Sequence, residues 1–223
     1  GSFNNDSGFS IVSYTGTGSA GTIKHGLSTA PKMIIQKNRD ESQPWWTYVE
    51  SIGAGGQLRL NGTNAAGSDG ATLWNSTAPT SSVFSVGDNT GTNGSSDKCI
   101  AYCFADVKGY SKVSGSYVGN GNVNGSYIHL GFSPSLVIQK EYGASGEYWM
   151  MKDNKRETGN QTDANLYPNA SNAEGDTNGI DLLSNGFKCR TSGAGSNGSG
   201  KLYIYMAWAS NPFVTSTGVP TTA

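Results

Sequence analysis

The side chains that could ligate a metal, attack a carbonyl or move a proton are sparse in this chain: three cysteines, two histidines and sixteen acidic residues among 223. Cys99 and Cys103 fall on one predicted strand, roughly 13 Å apart at about 3.3 Å per residue, beyond the ~7 Å a disulfide allows. With Cys189 they make an odd set, read as buried thiols of a protein folded under reducing conditions, which does not bar an exterior destination. His25 and His129 stand at no ligand spacing, so no metal site is expected. Glycan cleavage needs paired carboxylates. Glu50 near Trp45 and Trp46, and Glu147 and Asp153 near Trp149, are the candidates, and each reads as a solvated charge at a strand end. No nucleophile elbow, zinc helix or phosphate-cradling loop occurs. Loops such as Asp88 to Gly94 offer oxygens to calcium, but without the spacing of a calcium-binding repeat. The sequence therefore predicts no catalytic residue and no cofactor.

Binding is the chemistry these residues suit better. Large rings flanked by Asn, Gln and Asp are how proteins hold sugars: the ring supplies area and the amides supply direction. Side chains alternate along Trp45-Trp46-Thr47-Tyr48, which puts Trp46 and Tyr48 on one face and leaves Trp45 on the other. Trp46, aligned with Trp149, reads as core; Trp74 and Trp208, in apolar runs, do too. Trp45, Tyr148 aligned with it, and Tyr142 in a Gly-Ala-Ser-Gly loop are the candidate ligand-binding residues.

Composition narrows the partners. The chain is 35% hydrophobic and only 14% charged, with 32 glycines and a net charge of −1. That supports a sizeable core, a neutral polar surface and many turns. With a pI near 6.1 and no Lys/Arg run, nucleic acid is not an expected partner. No apolar stretch is long enough to span a bilayer as a helix, so membrane insertion is not expected either. Gly1-Ser2 reads as a cloning scar, and residues 1–7 as scar and leader.

The elements that must carry these rings repeat. Ser13-Tyr14-Thr15-Gly16-Thr17-Gly18, Pro31 and Ile35-Gln36-Lys37 return 103 positions later as Ser116-Tyr117-Val118-Gly119-Asn120-Gly121, Pro134 and Ile138-Gln139-Lys140. Asn93-Gly94-Ser95 and Phe104-Ala105 return as Asn197-Gly198-Ser199 and Trp208-Ala209 at an offset of 104, the trace of one loop insertion. Short alternating runs between Gly, Asn and Asp clusters predict strands throughout, including a Leu73-Trp74 piece, and no helix. The expected fold is an all-β antiparallel β-sandwich of two tandem repeats, residues 8–107 and 108–213, packed with pseudo-two-fold symmetry. Residues 214–223 form an expected flexible tail. The long polar stretches Ser51 to Asn75 and Glu157 to Gly179 read as loops.

As a set, S-Y-x-G-x-G, the proline-opened strand ending in Lys, W-N-S-T-x-P-T-S-S-x-F-S-x-G at Trp74 to Gly87, and I-A-Y-C-F-A-x-V-x-G-Y-S at Ile100 to Ser111 resemble a domain of tailed bacteriophages. Ile180 to Lys188 and Tyr203 to Phe213 are similar to its closing strands. The family recurs near the C-terminus of tail-fibre and other virion proteins, often of marine phages. The resemblance covers about residues 8–213 and implies an all-β fold on the outside of a virion, with a homotrimeric parent protein and other virion subunits as partners. It brings no catalytic residues. Host recognition through surface glycan or protein is the expected function, and a structural role as capsid decoration or fibre shaft is the alternative.

Overall fold

Apolar residues alternating between glycine-rich turns set the strands in the computed structural model, which describes residues 1–211 and, beyond them, only the backbone of Phe213–Val214 and Pro220–Thr221. The chain is all-β with several antiparallel sheets and divides into two units, Gly1–Asp106 and Val107–Ala223.

In the first unit, strands β1 (Ser2–Asn4), β2 (Phe9–Thr15), β4 (Met33–Asn38), β5 (Trp46–Val49), β6 (Leu58–Arg59) and β8 (Lys98–Phe104) form one sheet in the order β1-β2-β8-β4-β5-β6. Strands β3 (Gly21–Lys24) and β7 (Val83–Val86) pair separately. One core cluster takes Ile34, Trp46, Tyr48, Ala101 and Cys103 from the sheet, Phe84 and Val86 from β7, and Leu73 and Trp74 from a short helix. That helix, α1 (Gly70–Trp74), corrects the expectation of a strand at Leu73-Trp74. Its five residues end at Asn75, a residue type that tolerates the left-handed conformation it adopts there (φ 52°). A second helix, α2 (Thr90–Asn93), is capped by Asn89, whose Oδ1 accepts from Gly91 N at 2.8 Å. Ser2–Asn4, expected as part of a leader, adds an edge strand to β2.

In the second unit, β9 (Ser111–Val118), β11 (Pro134–Glu141), β12 (Met150–Asp153) and β16 (Leu202–Ala209) form a sheet ordered β12-β11-β16-β9. The strands β10 (Tyr127–His129), β13 (Thr162–Asn165), β14 (Gly175–Leu183) and β15 (Gly186–Cys189) form another, ordered β10-β15-β14-β13. Both contribute to one core: Val137, Tyr205 and Ala207 from the first, Ile128, Ile180, Phe187 and Cys189 from the second. The stretch Glu157 to Gly179 is thus not all loop, since it holds β13 and the start of β14, a polar pair whose hydrogen bonds override composition. Beyond residue 211, β17 (Phe213–Val214) pairs with β18 (Pro220–Thr221); the rest of the expected tail lies outside the described residues.

The repeated motifs have structural work in each unit. Tyr14 Oη donates to Thr92 O at 2.5 Å and accepts from Gln36 Nε2 at 2.8 Å; Tyr117 Oη donates to Ser196 O at 2.6 Å and accepts from Gln139 Nε2 at 2.7 Å. A Cβ on Gly16 would lie 2.1 Å from Gly94 O, and one on Gly119 2.2 Å from Gly198 O, so both positions require glycine. Buried Asn93 donates to Ser19 O and Gly87 O at 2.7 and 2.6 Å and accepts from Thr17 N at 2.9 Å. Asn197, equally buried, donates to Asn120 Oδ1, Asn122 O and Thr191 O.

The register also places the inserted residue. Gln36 faces Trp46, whereas Gln139 faces Met150, so the extra residue lies in the β11–β12 connection. Trp45 therefore corresponds to Trp149, and Trp46 to Met150, which corrects the expected pairing of Trp46 with Trp149 and of Trp45 with Tyr148. Side-chain bonds agree: Trp45 N donates to Asn61 Oδ1 at 2.9 Å and Trp149 N to Asn169 Oδ1 at 3.0 Å.

Candidate functional site

The β11–β12 connection, residues 142–149, carries two of the three expected binding residues, Tyr142 and Tyr148, both half-buried. A strand ending in Lys-Glu shapes it. Lys140 is fully buried, and its Nζ donates to the backbone oxygens of Glu141 and, at 3.1 Å, Glu147. Glu141 Oε1 accepts from Gly143 N and Ala144 N at 2.8 and 2.9 Å. The loop is thus tied at both ends, the preorganisation that lowers the entropic cost of binding. Burial draws the Lys140 amine down to about 8, opposed by the charges of Glu141 and Glu147.

Tyr148 rests on Tyr167, ring centres 5.1 Å apart and tilted by 57°. Tyr142 N donates to Leu202 O at 3.0 Å, and Leu202 stands opposite Val118 in the ladder. Leu202 and Val118 are 40% and 56% exposed, so this end of the sheet presents aliphatic surface beside Tyr142. The loop thus sets the half-buried ring of Tyr142 in a rim of exposed aliphatic groups.

Trp45, the third expected residue, belongs to the first unit. It lies half-buried at the end of the β4–β5 connection, its ring stacked on Tyr102 at 6.3 Å and 28°. This loop is tied in a similar way, Lys37 Nζ donating to Glu41 O and Gln43 O at 3.0 and 2.8 Å. The structure thus brings Tyr142 and Tyr148 onto one loop and puts Trp45 on the corresponding loop of the other unit. Trp46, Trp74 and Trp149 are buried, as expected of core rings, while Trp208 is half-buried.

Tyr127 is a further exposed ring, outside the expected set. It is 46% exposed on β10, its Oη donating to Asn185 Oδ1 at 2.8 Å and 3.3 Å from His129 Nδ1. The period-two spacing of Tyr127 and His129 puts both on one exposed face, a signal legible in the sequence.

A polar cleft of about 170 Å³ opens at the other end of β11, lined by Ser133, Pro134, Asn154, Glu157, Asn160 and Thr162 among others. An eight-residue strand separates it from the tyrosine loop by roughly 23 Å. Its volume falls short of the ~300 Å³ of a typical small-molecule site. Asn154 Oδ1 is buried in its wall without a partner. Two of the three carboxylates considered for glycan cleavage are engaged in ion pairs: Glu50 with Lys32, and Asp153 with Arg156 Nε at 2.7 Å. All three cysteines are free and buried, and burial pushes Cys103 and Cys189 up to about 12 and 11, which keeps them as unreactive thiols.

Fold and site define an all-β protein of two units that displays aromatic side chains on tied strand connections. Residues 1–212 match the family model described as Domain of unknown function (DUF7483), and the chain belongs to that family. No curated protein and no solved structure matches it.

Proposed function

We propose that the chain is a non-catalytic recognition domain on the exterior of a tailed-phage particle, carried by a tail fibre and attaching to carbohydrate on the host surface. The observation that carries this reading is the tied β11–β12 connection, which holds Tyr148 half-exposed and Tyr142 half-exposed beside the exposed Leu202. Rigid, partly exposed rings give contact area at little cost in conformational entropy. Trp45 on its own lysine-tied loop adds a second contact point. In this reading the parent protein is a homotrimer joined to other virion subunits, and the two units are copies of one ancestral sheet unit packed as a pseudo-symmetric sandwich. The shared strand succession, β2-β8-β4-β5 in one unit and β9-β16-β11-β12 in the other, supports the copying.

A glycan array and attachment to whole host cells test the binding role. Trp45→Ala and Tyr142→Ala should each weaken attachment roughly tenfold or more, as loss of a hot-spot ring does, while far-ultraviolet circular dichroism stays unchanged. Attachment indifferent to both substitutions would end the site assignment. The second reading, a structural virion component, is favoured by one observation: the repeated Tyr, Gln, Asn and Gly residues are all engaged in internal bonds and close backbone contacts. Silence on every glycan and host cell would favour it.

A further inference from the structure

Lys152 and Asn165 are both fully buried in the second unit. Lys152 sits on β12, opposite Val137 of β11 in the ladder, and its Nζ hydrogen-bonds to Oδ1 of Asn165 on β13. The two strands belong to different sheets. The carboxamide of Asn165 is held from its other side as well, Nδ2 donating to Asp163 O at 2.8 Å and to Thr177 O. An amine is therefore kept against an immobilised carboxamide in a site closed to bulk solvent.

We propose that Lys152 and Asn165 join in an intramolecular isopeptide bond that ties the two sheets of the second unit together. The lone pair of Lys152 Nζ adds to Asn165 Cγ, forming the Nζ–Cγ bond and moving the carbonyl π pair onto Oδ1. One Nζ proton passes to Nδ2. The carbonyl re-forms as the Cγ–Nδ2 bond breaks, and Nδ2 leaves as ammonia. One amide replaces another, so no oxidant or reductant takes part.

The attacking group must be the free amine. Burial draws Lys152 down to about 7, so a large share is neutral near physiological pH. The charged and titratable groups that act on it are Cys189 of β15, Arg156 and Glu157 of the β12–β13 connection, and Asp163 of β13. Reacting groups held at contact in one chain reach effective concentrations of about 10⁵ M or more, which compensates for the poor electrophilicity of an amide. The product also removes the cost of keeping an ionisable amine away from water.

The intact mass of the full chain, purified and then denatured, tests the bond. The expected mass is that of the sequence less one ammonia, with a branched peptide linking Lys152 to Asn165 after protease digestion and tandem mass spectrometry. Lys152→Arg and Asn165→Ala should keep the full mass, and Asn165→Asp should reach the same product as the wild type by expelling water. Ammonia is also lost when an Asn-Gly step such as Asn61-Gly62 cyclises to a succinimide, so the branched peptide decides. A folded wild-type chain of full mass, or a loss located only at Asn-Gly steps, would overturn the proposal whether or not the variants fold.

Discussion

Asn93 and Asn197 show how much one amide can organise. Each saturates backbone groups that have left the sheet ladder, with donors and acceptor both in use. Asn93→Asp keeps shape and volume but removes the donors to Ser19 O and Gly87 O. Buried acceptors left unpaired cost about 1–3 kcal/mol each, so this nearly isosteric change should destabilise the first unit by roughly 3 kcal/mol, no less than Asn93→Ala. Chemical denaturation checks it. An Asp variant as stable as the wild type would mean that the amide donors contribute little. The sequence showed the Asn-Gly-Ser motif twice but not its use, because the partners are backbone atoms 74 and 76 residues away.

At the scale of elements, the lysines that close β4 and β11 act as staples for the loops that follow. The Lys140 amine is depressed in the fold, so between about pH 8 and its ordinary value of 10.5 the unfolded chain holds a proton that the folded one lacks. Stability contributed at this site therefore rises with pH across that window, by up to about 1.4 kcal/mol per pH unit. Compared with Lys140→Met, the wild type should gain in urea midpoint from pH 8 towards 10; a constant difference would show that the amine does not titrate there. Strand positions were legible from apolar alternation, and Val83–Val86 and Leu202–Ala209 fall where the pattern puts them. Others were not, α2 and β1 among them. The helix at Gly70–Trp74 is one short turn, set by Asn75 and by packing of Leu73 and Trp74, with no amphipathic run to announce it. Strand β13 reads Thr-Asp-Ala-Asn, whose polar side chains suit a loop until the β14 backbone supplies their setting. The one-residue insertion can be counted but not placed from sequence, and a constant offset of 103 pairs Tyr148 with Trp45.

For the molecule as a whole, the motifs that recur at 103 and 104 positions fall on β2 and β9, on β4 and β11, and on β8 and β16. The tyrosine rim was partly visible: Tyr142 stood out by its Gly-Ala-Ser-Gly setting, but its neighbours Leu202 and Val118 come from strands far along the chain. The units also differ in chemistry. Buried His25 in the first accepts from Leu27 N through Nδ1, so its Nε2 carries the proton donated to Thr80 O at 3.0 Å. Burial lowers its pKa below 6.5. As pH falls through 6.5 the unfolded chain takes up a proton before the fold does, and stability present at neutral pH is lost. Hydrogen exchange at β3 and β7 should quicken between pH 7 and 5 relative to the second unit, and less so in His25→Gln; equal acid sensitivity in that variant would exclude the histidine as the cause.

The adjacency of β2 and β8, and of β9 and β16, has a mechanical consequence. Phe9, where β2 begins, lies opposite Phe104, where β8 ends, and Ser111 of β9 lies opposite Trp208 of β16. A pull applied at Phe9 and Phe104, or at Ser111 and Trp208, thus loads the antiparallel ladder at one end, and its hydrogen bonds yield rung by rung instead of all together. Such wiring resists tension poorly, so on the proposed fibre these units suit a terminal or laterally inserted position, off the line of force, rather than a link in a shaft under load.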